Sequence, residues 1–85
     1  MTEPMQVQVL LFAGLAERAG TRKQTLDLAR GARARDAWAA LAAKVPGLQQ
    51  LLPSTRIARN GRLVSLDEGL SDGDELAFLP PVGGG

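Results

Sequence analysis

The sequence predicts an α+β fold in which one main helix packs across a mixed sheet of about five strands. Near the N terminus, apolar residues alternate with polar ones, which is the period of a strand. In the middle of the chain, the apolar spacing changes to that of an amphipathic helix. Farther on, Asn60 and Gly61 stand between two short runs, which is typical of a β-hairpin. Because one long helix serves all these strands, the regular alternation of an α/β fold is excluded.

The N-terminal third predicts two strands. Residues 5–13 form the first, with every second residue apolar on one face, and residues 23–28 form the other. Leu10 and Phe12 add apolar side chains to the opposite face of the first strand, as expected of a central strand or of one that meets a partner. Residues 14–20 predict only a short connection closed by glycine.

Residues 34–45 predict the main helix, because their apolar residues recur at intervals of three and four. Trp38 lies on this apolar stripe, so we expect it in the core rather than in a ligand site. Pro46 and Gly47 end the helix. Its N terminus is less regular, since Arg33 stands where Ser, Thr or Asp is preferred.

The C-terminal half predicts three further strands. Residues 48–54 are expected to be irregular, residues 56–59 and 62–65 to form the hairpin, and residues 75–79 to form the last strand. The main helix then serves as a right-handed crossover that places a later strand parallel to the first.

An acidic, turn-rich stretch occupies residues 67–74, before the last strand. We considered a calcium loop, because Asp72, Asp74 and Glu75 lie close together. The stretch lacks the D-x-D-x-D-G pattern and the glutamate at position twelve, so it favours acidic turn residues.

Composition excludes several classes of function. The 85 residues suffice for one domain, and a net charge of +1 with interspersed signs provides no footprint for nucleic acid or for acidic membranes. Arg30, Arg33 and Arg35 are better explained as a solvated face. The chain has no Cys and no His, which removes thiol nucleophiles, imidazole bases and the commonest metal ligands.

The sequence also lacks membrane and export signals. No apolar run approaches the roughly 20 residues needed to span a bilayer, and the first residues lack the pattern of a signal peptide. We therefore expect a cytoplasmic protein.

The last six residues predict a tail beyond the domain, so that residues 1–79 form the domain and residues 80–85 the tail. Pro80 and Pro81 favour extended backbone, and Val82 leads into three glycines. Fully extended, the tail could reach roughly 20 Å, and its only chemical handle is the carboxylate of Gly85. The alternative is that the glycines are a frayed terminus or a cloning remnant.

The strand order and the Gly-Gly end resemble those of the ubiquitin-like sulfur carriers of the β-grasp fold, and in detail those of molybdopterin synthase small subunits. The resemblance covers nearly the whole chain, although the helix matches only in pattern. Two departures are Leu79, where the family often has Phe, and the additional glycine Gly83. The matching segments are VLLFA at 9–13, NGRLV at 60–64 and LSDGDELAFLPPV at 70–82, followed by the glycines.

The resemblance implies a carrier chemistry at the tail. Gly85, preceded by Gly84, would be adenylated with ATP by an E1-like activating enzyme and converted to a thiocarboxylate by a sulfur donor. It would then enter the large subunit of a heterotetrameric molybdopterin synthase and donate sulfur to cyclic pyranopterin monophosphate. The chain itself would bind no cofactor and no metal, and its partners would supply the catalytic groups.

A carrier of this size needs a docking surface for those partners. We expect Leu79 and Leu63 there, with Leu10 and Phe12 as further candidates, together with Pro80, Pro81 and Val82 of the tail. Packing into the core is the competing explanation for each leucine and for Phe12. Two other functions stay open: sulfur delivery to another pathway such as thiazole synthesis, and ubiquitin-like modification of lysines. A plain binding module with an inert tail is a third.

Overall fold

The structure confirms the α+β class, with one mixed five-stranded sheet and one main helix. The computed structural model describes residues 3–79. The sheet order is β2-β1-β5-β3-β4. Along the chain lie β1 (Met5–Leu11), α1 (Ala13–Ala19), β2 (Lys23–Leu28), α2 (Ala34–Ala42), a 3₁₀ helix (Leu48–Ser54), β3 (Arg56–Arg59), β4 (Arg62–Val64) and β5 (Glu75–Leu79).

The last strand of the chain lies in the centre of the sheet. β5 runs parallel to β1, with Leu11 beside Phe78, and antiparallel to β3, with Arg56 beside Leu79. The predicted parallel pairing of the first strand with a later one is thus confirmed. As a result, the chain reaches residue 79 in the middle of one end of the sheet, flanked by the end of β1 and the start of β3.

The core lies between α2 and one face of the sheet. Trp38 of α2 packs edge-on against Phe78 of β5, with ring centroids 4.9 Å apart and an interplanar angle of 84°. This geometry is favoured for aromatic pairs. Both rings are buried, which confirms Trp38 as a core residue. The other large residues that are fully buried are Val7, Val9, Leu11, Leu41, Leu48 and Leu76.

The first strand is shorter than predicted, and the connection after it is helical. β1 ends at Leu11, and Ala13 has a φ of +49°, so Ala13 does not continue the strand face. The segment predicted as a short connection is the helix α1, which buries Leu15 and ends at Gly20 in the left-handed conformation. Two turns are too short to establish a helical period, which is why the pattern did not indicate a helix.

Two further boundaries and one further segment differ from the prediction. α2 ends at Ala42 rather than at position 45, although Val45 is still buried in the core. Residues 48–54, predicted to be irregular, form the 3₁₀ helix, and β4 ends at Val64 rather than at position 65. Val45 and Leu48 are buried, so they are apolar in the sequence whatever the backbone conformation around them. The apolar pattern therefore could not show where the α-helix ends and the 3₁₀ helix begins.

The start of α2 shows how its irregular N-cap is tolerated. The backbone N–H of Arg33 donates to Oδ2 of Asp36 at 2.8 Å. This is the returning half of a capping box, and Asp36 also places a negative charge in the first turn, where the helix dipole favours it. The turn therefore compensates for an N-cap residue that has no acceptor side chain.

None of the helices formed by residues 3–79 is long and apolar enough to cross a membrane.

Candidate functional site

The face of the sheet opposite α2, here called the open face, carries an apolar row across four strands. The strand registers place Leu10 beside Ala77, Ala77 beside Ala58, and Ala58 beside Leu63. Leu10 and Ala77 alternate with buried residues of their own strands, so they point away from the core, and the cross-strand partners Ala58 and Leu63 lie on the same face. The row runs from β1 to the outer strand β4 and crosses the central strand on the way.

Among the described residues, two large apolar side chains are clearly exposed: Leu63, which belongs to this row, and Phe12, which lines a groove together with Leu10 of the row. Leu63 is 58% exposed and Phe12 is 43% exposed. Both were predicted partner contacts, and their exposure excludes the competing assignment of Phe12 to the core. Leu10 and Leu79, the other two candidates, are half-buried on the open face. An apolar patch of this kind on a small protein is typical of a surface that a partner covers.

The end of β5 brings the predicted contacts toward the point where the tail begins. Leu79 pairs with Arg56 on one side, and Phe12 follows directly after Leu11, the partner of Phe78, on the other. The remaining predicted site residues, namely Pro80, Pro81, Val82, Gly84 and Gly85, lie outside the described residues, as does Gly83. The proposed division into a domain of residues 1–79 and a tail of residues 80–85 therefore stays a prediction.

Hydrogen bonds of Asn60 connect the hairpin that carries Leu63 to the start of β5. Both residues of its turn, Asn60 and Gly61, have positive φ, as a type I′ turn requires. The Asn60 side chain accepts a hydrogen bond from the backbone N–H of Glu75 at 2.9 Å and donates to Oδ1 of Asp74 at 3.0 Å. The backbone N–H of Asn60 donates to the Glu75 carbonyl at 2.8 Å. The predicted hairpin is confirmed, and its asparagine has a second role in positioning it.

Asp74 is the buried centre of this hydrogen-bond network. Besides the bond from Asn60, its Oδ2 accepts hydrogen bonds from the backbone N–H of Ser71 at 2.7 Å and from Nε of Arg59 at 2.8 Å. Arg59 also donates to Glu68 at 3.0 Å. Nearby, Oδ1 of Asp72 accepts from the backbone N–H of Gln6 at 2.8 Å. These bonds confirm that the acidic stretch supplies turn residues.

The environment of Asp74 favours its charged form. Burial by itself would raise the pKa of Asp74, but the hydrogen bonds from Asn60, Ser71 and Arg59 outweigh burial and hold the pKa below its ordinary value. The same pairing, chiefly the hydrogen bond to Asp74, raises the pKa of Arg59. The sequence singled out Asp74 only as a turn residue, because its partners are distant in sequence.

We predict that Asp74→Asn lowers the free energy of unfolding at pH 7 by about 1 to 3 kcal/mol, because one amide cannot satisfy three donors. A carboxyl group whose pKa is lowered by folding stabilises the protein above its unfolded pKa of roughly 3.9, and this stabilisation is lost as the pH falls through the folded pKa. Urea unfolding from pH 7 down to pH 2 should therefore show a gap between wild type and variant that narrows in acid. A gap of constant size would contradict the assignment.

Residues 3–79 contain no cluster of three or more potential metal ligands among His, Cys, Asp and Glu. The features that the described residues bring together are the apolar row, the exposed side chains of Leu63 and Phe12, and the end of β5.

Comparison with known proteins identifies the family. The model of the ThiS family matches residues 9–85. The chain belongs to the ThiS family. This ThiS-family chain is 40% identical over 83 residues to the molybdopterin synthase sulfur carrier subunit of Chlamydomonas reinhardtii, and the alignment covers 95% of this chain and 100% of the relative. The predicted resemblance to sulfur carriers of this kind is confirmed.

Solved structures of similar proteins support the fold of the ThiS-family chain. The crystal structure of small archaeal modifier protein 1 from Haloferax volcanii has a TM-score of 0.84 at 36% identity, with 92% of this chain and 99% of that chain covered. The chain is also similar to a protein in the complex of subunits 1 and 2 of molybdopterin-converting factor from Helicobacter pylori, with a TM-score of 0.66 at 28% identity, covering 95% of this chain and 100% of that chain. The ubiquitin-like β-grasp fold is confirmed.

Proposed function

We propose that this chain is the sulfur-carrier subunit of a molybdopterin synthase. The observation that carries the proposal is the placement of β5: in a chain that matches a sulfur carrier subunit over nearly its full length, the last strand is central and ends at Leu79 beside an exposed apolar surface. A partner that covers the open face would thereby receive whatever follows Leu79.

The reaction proposed at Gly85 proceeds in two activating steps. A carboxylate is a poor acyl donor, because its oxygen is a poor leaving group. Attack of the Gly85 carboxylate on the α-phosphorus of ATP gives an acyl-adenylate and releases pyrophosphate. Attack of hydrosulfide, supplied by the sulfur donor, on the acyl carbon then expels AMP and leaves a thiocarboxylate. An E1-like enzyme would catalyse the activation.

The thiocarboxylate sulfur then attacks a carbon of cyclic pyranopterin monophosphate on the large subunit and displaces an oxygen substituent of that carbon, which gives a thioester. Hydrolysis of the thioester leaves the sulfur on the substrate and restores the Gly85 carboxylate with an oxygen from water. Glycines suit such a tail, because a narrow channel that admits and releases it leaves no room for a Cβ. The chain has no His or Cys to act as base or nucleophile, so general acid–base groups would come from the partners.

Intact-mass spectrometry tests this proposal directly. The purified chain is incubated with ATP, a sulfur donor and the activating enzyme of a molybdenum cofactor pathway. We expect a mass gain that corresponds to replacement of one oxygen by one sulfur, located in the C-terminal peptide. An unchanged mass with an activating enzyme that converts its own carrier in parallel would contradict the proposal and would favour a binding module with an inert tail.

A second candidate is a ubiquitin-like modifier, which the similarity to small archaeal modifier protein 1 favours. The same adenylated tail would then be attacked by a lysine amine to form an isopeptide bond. Immunoblots of cells that express the chain would then show conjugates of higher mass. Deletion of its gene would leave molybdoenzyme activity unchanged. Sulfur delivery to another pathway, such as thiazole synthesis, would instead make the deletion strain dependent on the thiazole.

A further inference from the structure

The open face is asymmetric in charge along the direction of β5. At the end away from the tail, it carries the acidic residues Asp27 and Glu75, which pair with Gln6 and Gln8 of β1. Both acidic residues are exposed. The apolar row follows, and beyond it the face ends at Leu79 and Arg56. The charge of the face thus changes from negative to positive toward the point where the tail begins.

Three exposed cations, here called the basic rim, border the apolar surface at the tail end: Arg22, Lys23 and Arg56. Arg22 and Lys23 line one shallow groove together with Leu10 and Phe12. Arg56 lines another groove together with Leu63. Each of the two exposed apolar side chains therefore has a cation of the basic rim beside it.

None of the three cations of the basic rim forms an ion pair among residues 3–79, which is also true of Arg18, Arg30, Lys44 and Arg62, so the rim is distinguished by its position beside the exposed apolar side chains. Arg33 and Arg35 contact Asp67, and Arg59 contacts Glu68 and Asp74. No carboxylate of the described residues lies within salt-bridge distance of Arg22, Lys23 or Arg56. Their charges are therefore available to a partner.

Protection of a sheet edge does not account for the whole rim. A lysine on an outer strand discourages pairing with another chain, and Lys23 lies on β2, at one edge of the sheet. Arg56 lies on β3, an inner strand of the sheet, where it pairs with Leu79 of β5, so it is not on an outer strand. A function that requires both residues must involve the surface between them.

We infer that the open face docks on a partner surface that is apolar at its centre and acidic where it meets the tail end of the sheet. The basic rim then steers the encounter and sets its orientation, so that the tail points toward the partner's pocket, while the apolar row supplies most of the lifetime of the complex. The inference rests on the proposed function, because it takes the large subunit of molybdopterin synthase as the partner.

Association kinetics with the large subunit from the same organism test the inference. Arg56→Glu and Lys23→Glu are compared with the matched control Lys44→Glu. The control makes the same change in net charge at an exposed residue after α2, away from the open face. Stopped-flow or surface binding is measured from low to high salt, and thermal melts verify that each variant is folded.

At low salt we expect each rim variant to lower the association rate constant by about 3-fold to 10-fold, with the control changed by less than about 2-fold. The difference should shrink toward the control at about 1 M salt, where exposed charges are screened within roughly 3 Å. The dissociation rate constants should change little at any salt concentration.

Two results would overturn the inference, and they differ. If wild type binds the large subunit but the rim variants match Lys44→Glu at low salt, the acidic complement is wrong and the proposed function stands. If wild type does not bind the large subunit at all, the partner assignment fails together with the inference.

Discussion

Removal of Gly85 will abolish acceptance of sulfur while leaving the melting temperature of the domain unchanged. The proposed chemistry begins at the Gly85 carboxylate, and deletion moves the carboxylate one residue, roughly 3.5 Å, back from the reacting position. A misplacement of even 1 Å can cost about 100-fold in rate, so a shift of this size should leave no measurable conversion. Intact mass after incubation with ATP, sulfur donor and activating enzyme provides the measurement.

Gly84→Ala gives the same test without changing the length of the tail, since it adds one Cβ where the channel is expected to be tight. Gly83→Ala is the matched control. It adds the same methyl group at the position where the sequence offers no reason for glycine, and we expect it to retain conversion. A chain without Gly85 that still gains sulfur would refute the carrier mechanism. If Gly83→Ala also lost conversion, the segment of the tail that tolerates no Cβ would extend to Gly83.

The second large effect is expected at Leu79. Leu79→Asp should weaken binding to the large subunit by about 10-fold to 100-fold or more, as truncation of central contacts does at other interfaces, while lowering the melting temperature by only a few degrees. The fold should tolerate the change, because Leu79 is half-buried on the open face and its cross-strand neighbour is Arg56, which can pair with the new carboxylate. Isothermal titration and thermal melts measure the two quantities.

Two variants make the result specific. Leu63→Asp alters an exposed side chain at the β4 end of the apolar row and should also weaken binding. Ala39→Asp introduces the same charge at an exposed position of α2, on the side of the sheet opposite the open face, and should bind almost normally. If Leu79→Asp unfolds the domain while its remaining folded fraction binds like wild type, Leu79 belongs to the core rather than to the docking surface.

The sequence by itself determined the local structure wherever a physical signal was strong. Alternation of apolar residues is sufficient to place β1 and to orient its buried face, because a strand has only two faces. The pair Asn60 and Gly61 identifies the hairpin, since few residues accept two positive φ angles in succession. The lack of His and Cys likewise excludes most catalytic roles without any structure.

Short elements and burial could be decided only by the tertiary structure. α1 and the 3₁₀ helix have seven residues each, too few for a period to distinguish them from loops. Phe12 and Leu10 lie two residues apart with the same apolar character, yet Phe12 is exposed and Leu10 half-buried, because their neighbours come from other parts of the chain. The same holds for Asp74, whose partners Arg59 and Asn60 reach it from the hairpin.

The end of β5 shows the division most clearly. The sequence alone shows that the segment from Pro80 onward has no chemically reactive side chain. That the chain reaches residue 79 at the centre of the sheet, between the end of β1 and Arg56, follows from the pairing of β5 with β1, whose residues lie 67 positions away, and with β3, whose residues lie 17 to 23 positions away. Such pairings depend on the joint burial of β1, β5 and α2, and no local pattern in one strand specifies its neighbours.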